Sequence, residues 1–413
     1  MTKPKINTER IAIEFDQLAE IGATVDGGVS RLALSNEDLE ARAWLADRFM
    51  EAGLDVHDDD AGNLSGIHRC PDPNARTLLI GSHLDSVPNG GRYDGTVGIL
   101  AGLEAARAIR EADFELPFHL EVINFTDEEG CWQSLFGSRA LTGTLNENFN
   151  SDSKKDNGPF RAALFRAGIR PSDIHLAKRR SEDLVGYLEL HIEQSYVLHK
   201  NACQIGVVTG IVGRETYRIA FKGESSHSGT TRALDRRDAL RAGANFIAQA
   251  HRMIESEFPA GILNCANIVS KPGAFNIIPS QAEVTVECRH ADKDLLRAME
   301  MALLDLAHAI AFEHQVDAKM IAISQMPAAR MAGSMVLAIE KACRNVSVNM
   351  MRLTSFAGHD AQIMSNFTPA GMLFIPSVDG ISHSPREFTV WGDVLTGTDV
   401  LLETILQVAQ QPT

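Results

Sequence analysis

Histidines and acids collect just beyond the apolar runs of this chain. The run Thr77–Ile80 leads into GSHLDSVPNGGRYDG. His83 and Asp85 are two residues apart, so on an extended segment both side chains leave one face. That spacing predicts Asp85 holding His83 in one tautomer, as carboxylates do behind metal-binding imidazoles. Asp94 stands directly before a helical stretch, Thr96–Ile109. It is a candidate ligand or, more simply, a helix N-cap. The run Leu120–Phe125 leads into Asp127-Glu128-Glu129. Three acids behind an apolar strand are costly to bury alone, so they form a solvated turn or a divalent cation balances them. In the second case one carboxylate ligates and its neighbour takes a proton from water. His191 and Glu193 close Tyr187–Ile192 in HIEQ, and His383 and Glu387 lie in PSVDGISHSPREF beyond Gly371–Ile375. Any one of these histidines alone is more often structural. Imidazole or carboxylate at four strand ends argues for a shared purpose. Two His–His–carboxylate sets sharing an Asp would seat two divalent ions in a hydrolytic centre.

The elements that must position these residues follow from periodicity. Residues 36–53 carry an Asn cap, early acids, apolar Leu39, Ala43, Leu45 and Phe49, and a closing Gly53, which predicts a helix. Apolar strands alternating with helices predict an α/β sheet covered on both faces. From about Gly206 the pattern changes to strand (Thr216–Phe221), helix (Arg237–Ile254), strands (Leu263–Val269, Ala282–Cys288), helix (Asp294–Phe312) and strand (Ala318–Ile323). This predicts an inserted α+β domain over 211–327, with the catalytic domain formed by 1–210 and 328–413. The polar stretch Asn146–Asn157 reads as a loop.

Composition narrows the function classes. Among 413 residues, Lys+Arg 39 against Asp+Glu 54 gives a net charge of −15, which disfavours nucleic acid and anionic membranes as partners. The polar start MTKPKINTER lacks the apolar core of a signal peptide, and no apolar run has membrane-spanning length. Six scattered cysteines form no CxxC pair, so a reduced, cytoplasmic protein is expected. No GxGxxG or Walker motif supports a nucleotide cofactor. GESSHSG lacks the second Gly of a serine nucleophile elbow.

GSHLDSVPNGGRYDGTVGILAGLEA, the Glu-Glu pair, HIEQ, HSGTT, NIIP before a strand ending in Arg, AGHDA and GISHSPREFT resemble the hydantoinase/carbamoylase branch of the aminoacylase-type dinuclear metallohydrolases. The motifs run in family order over nearly the whole chain. The resemblance implies a zinc-peptidase-like catalytic domain, its mixed sheet flanked by helices, and an inserted lid and dimerisation domain. It implies His83, Asp94 and His191 on one metal and Asp94, Glu129 and His383 on the other. Zn is expected, with Mn, Co or Ni as alternatives. Glu128 would be the general acid/base, and the Asp94–Gly95 peptide would be cis. His227 would act across subunits of a homodimer to polarise the substrate carbonyl. Gln194, Asn276 and Arg289 would bind the substrate, Arg289 gripping its carboxylate as a fork. Without the resemblance, His227 reads as a surface turn residue, Asn276 as an ordinary turn and Arg289 as a solvated strand end. His359 and Asp360 would back the site without a catalytic step.

The implied reaction is hydrolysis of an N-carbamoyl (ureido) C–N bond in a small anionic substrate, releasing ammonia and carbon dioxide. Allantoate hydrolysis, or aminoacylase or dipeptidase activity, is the alternative within the superfamily. A catalytically silent metal-binding protein is the alternative outside it. The chain departs from the family pattern at Ser195-Tyr196 after HIEQ, Arg232-Ala233 after HSGTT and Phe356 before AGHDA. These departures bear on the substrate, since Tyr196 and Phe356 would narrow a pocket and Arg232 would add charge.

Overall fold

A computed structural model describes residues 3–145 and 158–411; the expected loop at 146–157 lies outside them. The chain divides into two compact units, Met1–Thr209 with Arg330–Thr413, and Gly210–Ala329.

The first unit is built on a nine-stranded mixed sheet. Its strands are β1 (Asp55–Asp58), β2 (Leu64–His68), β3 (Thr77–His83), β4 (His119–Phe125), β5 (Leu184–Ile192), β6 (Ile205–Ile211), β11 (Ala329–Arg330), β12 (Met350–Ser355) and β13 (Ala370–Ile375). They run in the order β1-β2-β4-β3-β5-β13-β6-β11, with β12 also on β6. The neighbours β4, β3, β5 and β13 are parallel. They are almost wholly buried, as strands covered on both faces must be. Parallel strands put their carboxyl ends on one edge, and there the four candidate clusters emerge together.

Helices cover the sheet: α1 (Thr8–Glu20), α2 (Asn36–Glu51), α3 (Thr96–Glu111), α4 (Phe136–Thr142), α5 (Gly158–Arg166), α6 (Val197–Lys200), α9 (Gly333–Val346), α10 (Asp360–Met364) and α11 (Trp391–Ala409). The cap of α2 is Ser35 rather than the expected Asn36, because the Ser35 hydroxyl accepts from the Asp38 N–H. Helix α3 is buried along nearly its whole length. It lies directly on β5 because Gly98 has no Cβ; one built there would come within 2.4 Å of the Leu190 carbonyl oxygen.

The second unit is a four-stranded antiparallel sheet in the order β10 (Asp317–Met326), β7 (Gly213–Lys222), β9 (Gln281–His290), β8 (Ile262–Lys271). Helices α7 (Ala239–Glu257) and α8 (Lys293–Glu313) pack on one face. Alternation along β7 and β9 turns Tyr217, Ile219, Phe221, Val284, Val286 and Cys288 toward Phe246, Ile254, Met299 and Leu303. β8 is an edge strand whose side chains are mostly exposed. Among the described residues no helix is long and apolar enough to cross a membrane, and all six cysteines are free.

Candidate metal centre

Strand β3 ends at His83, whose Nδ1–H donates to the Asp85 main-chain carbonyl at 2.9 Å. The expected Asp85 carboxylate does not make this bond; its Oδ1 stands 3.9 Å from Nδ1. The i, i+2 geometry holds only on a strand, and here the strand has already ended. The Asp85 carboxylate instead accepts the main-chain N–H groups of Glu128 (3.3 Å) and Glu129 (3.2 Å). His191 repeats the His83 pattern, its Nδ1–H on the Ile192 carbonyl at 2.9 Å. Both rings are thereby fixed with Nε2 toward Asp94, and the Gly95 N–H also reaches His191 Nε2 at 3.3 Å.

Asp94 does not cap α3, whose N-cap is Gly95. The expected cis peptide at Asp94–Gly95 is also not formed; Lys271–Pro272 is the cis peptide among the described residues. Gly95 adopts φ 66 and ψ −48, and the Thr96 N–H reaches the Asp94 carbonyl at 2.6 Å, a γ-turn. A Cβ at Gly95 would meet the His83 ring at 2.5 Å. This turn directs the Asp94 carboxylate at three histidines: Oδ1 lies 3.0 Å from His191 Nε2 and 3.9 Å from His83 Nε2, and Oδ2 lies 3.3 Å from His383 Nε2. The Gln194 side-chain amide donates to Asp94 Oδ2 at 2.8 Å and lies 3.3 Å from His383 Nε2. His383 is the open side of the cluster, half exposed, and Glu129 lies 3.6 Å from its Nε2.

Four groups of described residues bring donor atoms within 4.8 Å of one another, His83–Glu128–Glu129, Glu189–His191–His359 and the two expected sets, His83–Asp94–His191 and Asp94–Glu129–His383. Asp94 belongs to both expected sets. The chemistry of the two expected sets fits a pair of divalent cations: three imidazole nitrogens, one terminal carboxylate and a carboxylate with one oxygen toward each side. Glu128 stands beside the first set, 3.6 Å from His83 Nε2, and is nearly buried.

Electrostatics supports the same assignment. Burial, followed by the charges of Glu129, Asp360, Asp85 and Asp94, pushes the Glu128 carboxyl well above the usual range. Burial and Asp94 do the same to Glu129. For Asp94 burial opposes the charge, but the hydrogen bonds to His191 and His383 win and hold it well below the usual range. Burial lowers His83 to about 4. Against burial, the Asp94 hydrogen bond raises His191 to about 9. Glu128 and Glu129 are thus raised together by burial and by each other's acidic neighbours, a clustering of carboxyls common at functional sites.

Two residues of the surroundings had no assigned role from sequence. Glu387 is buried and accepts the main-chain N–H groups of Tyr93 and Asp94 (3.0 and 3.1 Å) and the Ser382 hydroxyl (2.8 Å), which ties the His383 loop to Asp94. Its four-residue spacing from His383 was the available signal. Asp127 takes φ 54 and accepts from the N–H groups of Trp132 (3.1 Å) and Gln133 (2.6 Å), fixing the turn that presents Glu128 and Glu129. His359 is a wall of the site: its ring meets His191 edge-on at 4.5 Å, and its Nε2 lies 3.1 Å from the Ser355 hydroxyl.

The remaining candidates lie in the second unit. His227 and Asn276 are adjacent there, through the bridge His227–Ile277 and the Ser228 N–H on the Asn276 carbonyl at 3.1 Å. The Gly229 N–H donates to His227 Nδ1 at 3.1 Å, which places the ring hydrogen on Nε2. Arg289 is near the opposite end of β9, its Nε on Glu287 at 2.8 Å. The eight residues from Gln281 to Arg289 span about 26 Å at roughly 3.3 Å per residue. Arg232 is in an ion pair with Asp235 at 2.6 Å, so its charge is already engaged. In the first unit Tyr196 and Phe356 are 57% and 42% exposed.

Residues 79–407 match Peptidase family M20/M25/M40. The chain is 35% identical to an N-carbamoyl-L-amino-acid amidohydrolase of Pseudomonas sp. (strain NS671), over 97% of this chain and 98% of that protein. It is 29% identical to an allantoate amidohydrolase of Bacillus subtilis (strain 168), over 99% and 100%. A crystal structure of an amidase of the hydantoinase/carbamoylase family from Burkholderia multivorans superposes with a TM-score of 0.88 at 31% identity, covering 100% of both chains. The chain therefore belongs to Peptidase family M20/M25/M40, in its hydantoinase/carbamoylase branch, and is a metal-dependent hydrolase of carbon–nitrogen bonds other than peptide bonds.

Proposed function

We propose that this enzyme hydrolyses the carbamoyl C–N bond of an N-carbamoyl-L-amino acid, giving the amino acid, ammonia and carbon dioxide with one water consumed. The observation that carries the reading is Glu128 beside two donor sets that share Asp94. His83, Asp94 and His191 would hold one divalent ion and Asp94, Glu129 and His383 the other, Zn first, with Mn, Co or Ni accepted by the same donors. Such ions supply Lewis acidity, acidifying water and polarising the ureido carbonyl. Glu128 takes the proton of the attacking water and returns it to the leaving nitrogen. Gln194 and Asn276 hydrogen-bond the substrate, and Arg289 grips its carboxylate through two parallel N–H groups. His227 donates from Nε2 to the oxygen that gains charge during attack, a role its Gly229 hydrogen bond prepares.

The second unit acts as lid and dimerisation domain in this reading, in a cytoplasmic homodimer. Two observations support it. The ten-residue β8 is an edge with exposed Ile262 and Val269, suited to pairing with a second copy. His227 and Asn276 lie beyond the Gln281 end of β9, and Arg289 stands near its other end, roughly 26 Å along the strand from Gln281, a long reach for one small substrate in one copy. A site that uses all three takes Arg289 from one subunit and the His227–Asn276 pair from the other.

The test is ammonia release from a panel of N-carbamoyl-L-amino acids, N-carbamoyl-D-amino acids, allantoate, N-acyl amino acids and dipeptides, with Zn or Mn supplied. The reading predicts N-carbamoyl-L-amino acids as the best substrates by kcat/KM. Preference for allantoate, which a relative's activity makes the nearest rival, would move the substrate assignment. Hydrolysis confined to acyl amides or dipeptides would contradict the ureido assignment.

A further inference from the structure

Arg31 is 1% exposed, and its side chain meets main-chain carbonyls only. Its Nε donates to Leu84 (2.6 Å), and its Nη1 donates to Leu18 (3.0 Å) and Ile21 (3.1 Å). Its main chain grips the same segment, the Arg31 N–H on the Ser86 hydroxyl and the Ser86 N–H on the Arg31 carbonyl, both at 2.9 Å. Residues 84–86 are thus held from behind by one buried residue, and the acceptors at Leu18 and Ile21 close α1, the Leu18 carbonyl also accepting from the Ile21 N–H.

The segment held in this way is the hub of the candidate centre. The Asp85 carbonyl orients His83, and the Asp85 carboxylate carries the N–H groups of both Glu128 and Glu129. A buried guanidinium on neutral acceptors is an expensive way to fill a core, since an apolar side chain of similar size is often at least as stable. Here it lies in the field of Asp38 and Asp85, and although burial lowers it to about 10, it keeps its charge at neutral pH. Its presence therefore calls for a reason other than packing.

We propose that Arg31 is a positioning residue for the metal centre, fixing residues 84–86 so that His83, Glu128 and Glu129 are preset for the cations. This rests on the metal-site assignment above. Arg31 touches neither substrate nor ligand side chain; it acts through the main chain of Leu84 and Ser86.

The experiment measures Zn affinity by competition with a chelating dye, together with Tm, kcat and KM, in the full-length enzyme. Arg31→Met should weaken Zn binding about 10- to 100-fold, the range seen when outer partners of metal ligands are removed, and lower kcat more than KM. Arg31→Lys should also weaken binding, because one ammonium cannot occupy both guanidinium nitrogen positions. Arg107→Met is the control. Arg107 is also buried, pairs with Glu14 at 2.7 Å and is remote in contacts from residues 83–86, so its loss should lower Tm and leave Zn affinity unchanged. Wild-type Zn affinity and kcat in Arg31→Lys, with only Tm reduced, would overturn the proposal even where Arg31→Met does not fold. His83→Ala tests the underlying assignment separately: wild-type Zn affinity there would refute the site rather than the role of Arg31.

Discussion

Asp94 and His227 are held in opposite ways. Asp94 is buried, with His191, His383, Gln194 and Ser382 all within 3.3 Å of its carboxylate and Glu387 on its main chain. His227 is exposed on a turn, its ring held by one hydrogen bond from Gly229. The first arrangement is complete within one folded unit, before any substrate arrives. In the proposed reading the second is a donor brought to its work when substrate binds. His227 then serves turnover without serving metal affinity, and variants can test that division.

The largest effect is expected at Glu128. Glu128→Ala should reduce kcat by about 10⁴-fold, the upper range for a general acid/base, while metal content by elemental analysis stays unchanged. Substantial residual turnover would mean that another group is the base. His227→Asn should lower kcat by about 10²- to 10³-fold, as for loss of one donor to a developing oxyanion. It should leave Zn affinity untouched; a matching loss of metal would erase the distinction between the two regions. Arg289→Lys, which keeps charge but loses the fork, should reduce kcat/KM about 10- to 100-fold through KM, on the scale of one charge-assisted hydrogen bond. An unchanged KM for carboxylate substrates would remove Arg289 from the site.

The smallest effect, about tenfold per pH unit for each proton displaced, concerns acid. His191 is raised to about 9, and His383 and Glu129 also lie above their ordinary values. Protons and cations compete for these groups. Metal affinity should therefore fall as pH drops below about 9, continuing through neutrality. Calorimetric titration at several pH values checks this, and a pH-independent affinity would contradict it. The same series on His227→Asn should superimpose on the wild type.

The strand ends were legible because four buried parallel strands must be apolar throughout, so His83, Glu128, His191 and His383 each stand out after such a run. What surrounds them was less legible, for physical reasons. The spacing of His83 and Asp85 suggested a carboxylate–imidazole bond, but β3 ends at His83 and the turn delivers the Asp85 carbonyl instead. The direction of Asp94 depends on a γ-turn that only a Gly95 without Cβ permits, and local periodicity carries no such information. Arg31 reaches Leu84 across 53 positions of sequence, a long-range pairing without any local pattern. Asn276 and His227 were separate motifs until a β-bridge joined them.

The central claim is that one carboxylate-bridged pair of donor sets holds the ions on which hydrolysis depends. Chelation followed by stepwise addition of Zn or Mn, with bound metal and ammonia release from an N-carbamoyl-L-amino acid measured on the same samples, tests it most directly. The account predicts loss of activity on stripping and recovery that saturates at two ions per chain, one for each donor set. Full hydrolysis by metal-stripped enzyme, or recovery complete at a single ion in wild type, would contradict it.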